Sequence, residues 1–115
     1  MDVKIKIYFT DNDKQFMGIG VYWLLAGIKE YGSIRKASED MHLSYVKALG
    51  MLNTLEKKLN KKILNRKKGG DSREGTSLTD AGEKLITLYQ EYQEKVKSYA
   101  DIEFENFTKQ FDLVD

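Results

Sequence analysis

Residues 32–51 read GSIRKASEDMHLSYVKALGM, a stretch with two short helical patterns and a polar break between them. Ser33 suits the N-cap of the first helix, and Ser44 suits the N-cap of the second. Only residues 41–43 remain to connect the two helices, which is too few for a long loop. The spacing therefore predicts a pair of helices joined by a tight turn.

The helix that begins near Ser44 is predicted to be amphipathic, with apolar residues at steps of three and four. Its apolar stripe comprises Val46, Leu49, Leu52, Leu55 and Leu59. The opposite face carries small, polar or basic residues, namely Ser44, Tyr45, Lys47, Ala48, Met51, Thr54 and Lys58. A face of this composition is narrow enough to enter a groove and can donate hydrogen bonds. We interpret it as a candidate recognition surface.

The residues before this helix pair predict a strand and a core helix. Residues 3–9 alternate apolar and polar side chains with a period of two, which indicates a half-buried strand. Residues 11–13 (DND) then supply turn and N-cap chemistry before an apolar helix that begins near Phe16. That helix is expected to end at Tyr31, because Gly32 suits a C-terminal cap.

The residues after the helix pair predict a hairpin and a long helix. Residues 63–78 contain two short segments around a Gly-rich tip, which favours two strands. Thr79 suits the N-cap of a helix whose apolar seam comprises Ala81, Leu85, Leu88, Tyr92, Val96 and Tyr99. The predicted fold class is mainly α with a small β component: a winged helix-turn-helix with an N-terminal strand, a β-hairpin wing and a long C-terminal helix. We divide the chain into residues 1–80, the winged helix-turn-helix, and residues 81–115, the C-terminal helix and an acidic aromatic tail.

Charge is distributed unevenly along the chain, although its net value is only +1. Residues 57–73 contain eight basic side chains and one acid, whereas residues 83–115 contain eight acids and four bases. A basic run of this kind is either a solvated surface or a patch that faces phosphates. Because the run extends through the predicted hairpin beside the candidate recognition helix, we favour the phosphate-facing interpretation.

Composition argues against several other classes of protein. The chain has no cysteine, and its single histidine, His42, cannot form a zinc site alone. Gly69-Gly70 lacks the Gly-Lys-Ser/Thr context of a phosphate-binding loop, and no catalytic constellation is recognisable. No segment approaches the roughly 18 apolar residues of a membrane span. We therefore expect a cytoplasmic protein that is not an enzyme and has no metal or cofactor.

The segments GSIRKASEDMHLSYVKALGMLNTLEKKLNKKIL and SLTDAGEKLI resemble the N-terminal DNA-binding domain of LysR-type regulators. A closer resemblance is to the DNA-binding domain of the ModE, or molybdate-responsive, regulators, and it covers roughly residues 3–97. The matching features are the N-terminal strand, Ser44-Tyr45, Asn53, Gly69-Gly70 and Leu78-Thr79.

The chain departs from the ModE pattern at Val46 and Leu49, where that family has a basic and an aromatic residue, so the operator sequence is not expected to transfer. The chain also ends before any molybdate-binding domain of that family would begin, so we do not expect molybdate binding.

The resemblance implies a transcriptional regulator that binds double-stranded DNA. Its recognition helix, about residues 44–59, would lie in the major groove, and its basic wing, about residues 63–78, would contact adjacent backbone or the minor groove. The implied DNA-binding residues are Arg35, Lys36, Ser44, Tyr45, Lys47, Ala48, Arg66, Lys67, Lys68 and Arg73. Tyr45 could equally seal the edge of the core.

The resemblance also implies a homodimer formed through the long helix. The implied interface residues are Leu85, Leu88, Tyr89, Tyr92, Val96 and Tyr99. Two alternatives stay open for this region. The seam could pack on its own domain, or the C-terminal helix and tail could bind another protein, which would make the chain a protein-protein interaction module.

Overall fold

A computed structural model of the chain describes residues 1–66 and 75–113. In these residues the chain forms four helices and two antiparallel hairpins, in the order β1 (Tyr8–Asp11), β2 (Lys14–Gly18), α1 (Ile19–Tyr31), α2 (Ile34–Asp40), α3 (Tyr45–Leu59), β3 (Leu64–Arg66), β4 (Thr76–Leu78) and α4 (Asp80–Gln110). The predicted winged helix-turn-helix, mainly α with a small β component, is confirmed. None of the helices in the described ranges has the length and apolar character needed to cross a membrane.

The N-terminus differs from the prediction, which placed one strand at residues 3–9 and the start of a helix near Phe16. Instead, β1 pairs with β2 in a hairpin, and α1 begins only at Ile19. Asn12 and Asp13 adopt φ of 50° and 67° and form the hairpin turn. Asn and Asp suit both helix caps and left-handed turn positions, so the sequence alone did not separate the two roles.

Residues 1–7 form no strand and run along α4. The Tyr89 hydroxyl donates a hydrogen bond of 2.7 Å to the Ile7 carbonyl, and Lys97 Nζ donates one of 3.0 Å to the Val3 carbonyl. Phe9 of β1 packs edge-on against Tyr89, with ring centroids 5.6 Å apart. The N-terminal segment is therefore tied to the second half of the chain.

The helix caps occur where they were predicted. Gly32 ends α1 with φ of 68°, and its N–H donates to the Ile28 carbonyl at 2.7 Å. The Ser33 hydroxyl accepts a hydrogen bond of 3.1 Å from the Lys36 N–H, and the Ser44 hydroxyl caps α3 in the same way. Capping of this kind stabilises a helix by about 1 kcal/mol.

The turn between α2 and α3 is held by backbone hydrogen bonds. The Leu43 N–H donates to the Ser38 carbonyl at 2.9 Å, and the His42 N–H donates to the Glu39 carbonyl at 3.0 Å. His42 has a left-handed φ of 57°, and the Ser38 side chain is buried while donating to the Arg35 carbonyl. These bonds fix the angle between the two helices.

The core lies between α1, α2, α3 and the first three turns of α4. Its fully buried apolar side chains include Met17, Leu24, Leu25, Ile28, Leu52, Leu55, Ile63, Leu64 and Tyr89. A Cβ atom at Gly27 of α1 would lie 2.9 Å from the Cβ of Ala37, so glycine permits the close crossing of α1 and α2. Beyond its buried first turns α4 continues outward, and the described chain extends 64 Å along its longest axis. The division of the chain at residue 80 stays a prediction.

Candidate nucleic-acid interface

The exposed face of α3 differs from the predicted face by a rotation about the helix axis. Ala48, Leu52 and Leu55 are each 0% exposed, whereas Val46 is 78% exposed. The expectation that Ala48 lies on the open face and Val46 in the core is therefore wrong. Val46 points about 120° away from Leu52 around the helix, because six residues at 100° per residue fall short of two full turns.

The open face of α3 carries short, polar and basic side chains. Its members are Ser44, Tyr45, Val46, Lys47, Gly50, Asn53, Thr54, Lys57 and Lys58. Val46, Gly50 and Asn53 have no site role in the prediction from sequence, although a helical wheel centred on Leu52 places all three on this face. Lys and Asn side chains can pair with guanine and adenine edges, and an apolar side chain can contact a thymine methyl group. We call this set the reading face.

Gly50 leaves the backbone open in the middle of the reading face. A Cβ atom at Gly50 would have no heavy atom within 4 Å, so packing within the chain does not require glycine there. Glycine in a helix interior costs roughly 0.5–1 kcal/mol relative to alanine. Its presence on the reading face is consistent with close approach of another molecule.

Arg35 connects α2 to the first residue of α3. Its guanidinium lies over the Tyr45 ring, 4.5 Å from the ring centroid, and both side chains are exposed. The stack places Tyr45, which is 37% exposed, beside the N-terminus of α3, and a contact of Tyr45 with DNA stays a prediction.

A second cation–ring pair involves the next residue of α2. Lys36 Nζ lies 5.6 Å from the centroid of Tyr31, and the Tyr31 hydroxyl donates a hydrogen bond to the Asp40 carboxylate. That hydrogen bond and the negative charge of Asp40 raise the pKa of Tyr31 above its usual 10.0, so the hydroxyl stays protonated at neutral pH. Arg35 and Lys36 thus present two cations at the start of α2.

The β3–β4 hairpin, which is the wing, is attached to α3 by one carboxylate. Glu56 Oε2 accepts hydrogen bonds from the Ile63 N–H at 2.8 Å and from the Leu64 N–H at 3.1 Å. Thr79 also holds the base of the wing, donating from its hydroxyl to the Lys62 carbonyl at 2.6 Å. The start of the wing is therefore anchored to α3, and the two ends of the wing are joined to each other.

Positive charge surrounds the junction of α3 and the wing. The exposed bases there are Lys57, Lys58, Lys61, Lys62 and Arg66. Lys58 Nζ lies 3.4 Å from the Asp11 carboxylate, an exposed ion pair that holds the β1–β2 turn near α3. The wing-tip residues Lys67, Lys68, Gly69, Gly70 and Arg73 lie outside the described residues.

The helix-turn-helix and the wing also match a known protein family. Residues 24–83, from α1 to the start of α4, match the family described as the bacterial regulatory helix-turn-helix protein, lysR family. The chain belongs to the lysR family. The family match contains the helix-turn-helix and the wing, and it leaves the β1–β2 hairpin and most of α4 outside.

The LysR-type chain is similar in sequence to two ModE proteins. It is 36% identical over 66 residues to the transcriptional regulator ModE of Haemophilus influenzae, covering 57% of this chain and 26% of that protein. It is 31% identical over 78 residues to the molybdenum transport protein ModE of Azotobacter vinelandii, covering 68% of this chain and 29% of that protein. The chain thus matches less than a third of the length of these relatives.

Solved structures show the same fold. The CbnR DBD in a DNA complex has a TM-score of 0.61 and 21% identity, covering 78% of this chain and 98% of that chain. The BenM DBD in complex with catB site 1 DNA has a TM-score of 0.59 and 16% identity, covering 82% and 96% of the two chains. ArgP from Mycobacterium tuberculosis has a TM-score of 0.54 and 23% identity, covering 77% of this chain and 32% of that chain.

Helix α4 of this LysR-type chain exposes a continuous apolar seam. Its large exposed members are Leu88, Tyr92, Val96, Tyr99 and Ile102, and Tyr99 is 66% exposed. Leu85 packs partly against the core, and Tyr89 is 1% exposed. The expectation that Tyr89 contributes to a dimer surface is therefore wrong, because the rings of Phe9 and Tyr22 cover it and its hydroxyl is bonded to Ile7. We call the five exposed residues the α4 seam.

Three stacked aromatic rings follow the seam. Phe104 and Phe107 have ring centroids 6.5 Å apart, and Phe107 and Phe111 have centroids 5.9 Å apart, with nearly parallel planes in both pairs. Phe107 and Phe111 are exposed. The described residues contain no group of three or more His, Cys, Asp or Glu side chains that could hold a metal ion.

Proposed function

We propose that this chain binds double-stranded DNA as a sequence-specific transcriptional regulator. The observation that carries the proposal is the reading face: an exposed, capped helix N-terminus with lysines and small side chains, projected by a turn that backbone hydrogen bonds fix. Membership of the lysR family supports it. In this proposal α3 enters the major groove, and the wing contacts adjacent backbone or the minor groove.

The residues proposed to contact bases differ from those proposed to contact phosphates, because of their chemistry and position. Lys47 and Asn53 lie on the reading face, where hydrogen bonds to base edges specify sequence. Arg35, Lys36 and Arg66 are exposed on either side, where they would contact phosphates and set orientation. Lys67, Lys68 and Arg73 stay proposed as wing contacts from the sequence alone.

We further propose a homodimer that forms through the α4 seam. An apolar stripe that α4 leaves open over several turns is the type of surface that pairs with a second copy. A two-fold dimer would place two copies of α3 about one DNA turn apart and would require a roughly palindromic operator.

One experiment tests binding, sequence choice and half-site spacing together. The purified chain would select bound sequences from a random duplex library, and the affinity for the selected duplex would be measured as salt rises. We expect enrichment of a two-fold-related motif and a steep fall in affinity with salt. If no sequence is enriched and no duplex is retained at low salt, the proposed function is wrong.

A second candidate function rests on the stacked phenylalanines. Because Phe107 and Phe111 are exposed near the end of α4, the chain could dock a protein partner there. A stable protein complex that Phe107→Ser and Phe111→Ser abolish, together with no DNA retention, would favour the interaction module over the regulator.

A further inference from the structure

The β1–β2 hairpin lies beside the reading face, although it precedes the family match at residues 24–83. A groove runs between the hairpin and α3. Its lining residues are Gln15 and Phe16 of β2, Val21 of α1, and Lys47, Gly50, Met51 and Thr54 of α3. One wall of this groove is therefore part of the reading face, and the other wall is the hairpin.

The hairpin and the wing lie on opposite sides of α3. Thr54 lines the hairpin groove, whereas Glu56 binds the base of the wing. Residues two apart on a helix point about 200° apart, so these two side chains leave α3 in nearly opposite directions. The reading face, with Gly50 and Asn53, lies between them. The geometry resembles a recognition helix with a wing on each flank.

We propose that the β1–β2 hairpin is a second wing, in which Lys14 and Gln15 contact the sugar-phosphate backbone beside the bases read by α3. The inference rests on the proposed DNA-binding function and deepens it. Both side chains are exposed, and the Gln15 amide and the Lys14 ammonium are donors suited to phosphate oxygens. A duplex that reaches Lys47 and Gly50 would bring one strand against the hairpin wall.

The charge of the residues that line the groove is compatible with a negatively charged DNA strand. The lining residues include one base, Lys47, and no acid. At the hairpin turn the Asp11 carboxylate is paired with Lys58 at 3.4 Å, which reduces its repulsion of phosphates. Asp13 is exposed beside Lys14 and would weaken the contact. The second wing thus contributes a modest backbone contact that specifies position and leaves base choice to α3.

A tethered cleavage reagent tests the location directly, because the chain contains no cysteine. Gln15→Cys carrying an iron–EDTA chelate should cut the bound duplex at the edge of the half-site. Glu105→Cys, on the distal part of α4, is the matched control and should give no cleavage there. If the Gln15→Cys conjugate protects its site from nuclease but produces no cuts, the second wing is wrong while DNA binding stands. If the unmodified protein protects no duplex, the proposed function and the second wing both fail.

Charge variants test the same contact without a reagent. Lys14→Ala should weaken binding about three- to tenfold for all duplexes and reduce the salt slope by about one. Asp13→Asn should strengthen binding by a similar factor. Lys109→Ala at the far end of α4 is the control and should leave both quantities unchanged. Unchanged affinity and slope for Lys14→Ala and Asp13→Asn, in proteins with unaltered thermal melting, would overturn the inference.

Discussion

Helices α3 and α4 are both amphipathic, yet the domain uses their apolar residues differently. Most of the apolar stripe of α3 packs on the core: Leu52 and Leu55 are fully buried and Leu49 and Leu59 are partly buried, whereas Val46 is exposed. Helix α4 buries Ile86 and Tyr89 but leaves large apolar side chains such as Tyr99 exposed. Around the reading face of α3 the surface is basic, whereas the distal half of α4 is rich in acids.

The difference indicates two kinds of partner. A basic face with short side chains and little exposed apolar area suits a polyanion, because its attraction is electrostatic. An apolar seam flanked by acids suits a protein surface and would repel DNA. Hydrophobic periodicity alone gives both helices the same description, so burial and charge are needed to separate their roles.

The largest effect should come from breaking the α4 seam. Tyr99→Glu combined with Tyr92→Glu places two charges in the proposed dimer contact, so we expect monomers and a fall in DNA affinity of about 100-fold or more through lost avidity. Sedimentation velocity and a binding titration would measure both. Glu94→Lys, exposed on α4 but off the seam, is the control. A double variant that stays dimeric would remove α4 from the interface.

Two glycine-to-alanine substitutions compare the packed start of α4 with the open face of α3. A Cβ atom at Gly82 would lie 2.5 Å from the Ile63 carbonyl oxygen, so Gly82→Ala should destabilise the fold by about 1–3 kcal/mol. Gly50→Ala meets no neighbour and should stabilise it by about 0.5–1 kcal/mol, while weakening DNA binding. Urea denaturation measures both changes. Equal stability effects would contradict the assigned packing.

Substitution of lysines should separate specificity from affinity. Lys47→Ala on the reading face should alter base preference, with a loss of about 1–3 kcal/mol of discrimination at one position. Lys67→Ala with Lys68→Ala should weaken binding to all duplexes similarly. Affinities for a panel of single-base operator variants would distinguish the two. The same uniform loss in both proteins would disprove the separate roles.

The smallest effect concerns the stack of Arg35 on Tyr45. A double-mutant cycle with Arg35→Ala and Tyr45→Ala, measured by urea denaturation, should give a coupling in the free energy of unfolding of about 0.5–1 kcal/mol, typical of an exposed cation–π pair. The matched cycle uses Lys36→Ala with Tyr45→Ala, since the Lys36 ammonium lies over Tyr31 and not over Tyr45. Additive losses in the Arg35 cycle would indicate that Arg35 and Tyr45 act independently.

Most of the fold could be predicted from local sequence signals. The caps at Ser33, Ser44 and Thr79 and the left-handed Gly32 follow from side-chain hydrogen bonding and glycine geometry, and all four were predicted correctly. The residues at 11–13 were misassigned, because a DND sequence caps a helix or forms a turn equally well. The pairing of β1 with β2 decided the outcome, and residues 11–13 alone do not reveal that pairing.

The candidate site was harder to predict than the fold. Val46 and Ala48 were exchanged between the faces of α3, because a small residue is compatible with either face and a stripe drawn in three-residue steps rotates around a helix. Tyr89 was assigned to the dimer surface because the seam gave no sign that the N-terminal segment covers one side of α4. A helical wheel centred on Leu52 would have placed Val46 correctly, whereas the position of Tyr89 is settled only by contacts between distant segments, such as Tyr89 with Ile7.

The Glu56 carboxylate joins helix α3 to the wing. Since Glu56 lies on α3 and accepts from the first residues of the wing strand, a rotation of α3 about its axis would pull the wing with it. Descendants of this protein could therefore acquire new target sequences more easily by exchanging side chains at Val46, Lys47 or Asn53 than by tilting the helix. The position of the base contacts relative to the backbone contacts would then stay the same, while the preferred bases could change.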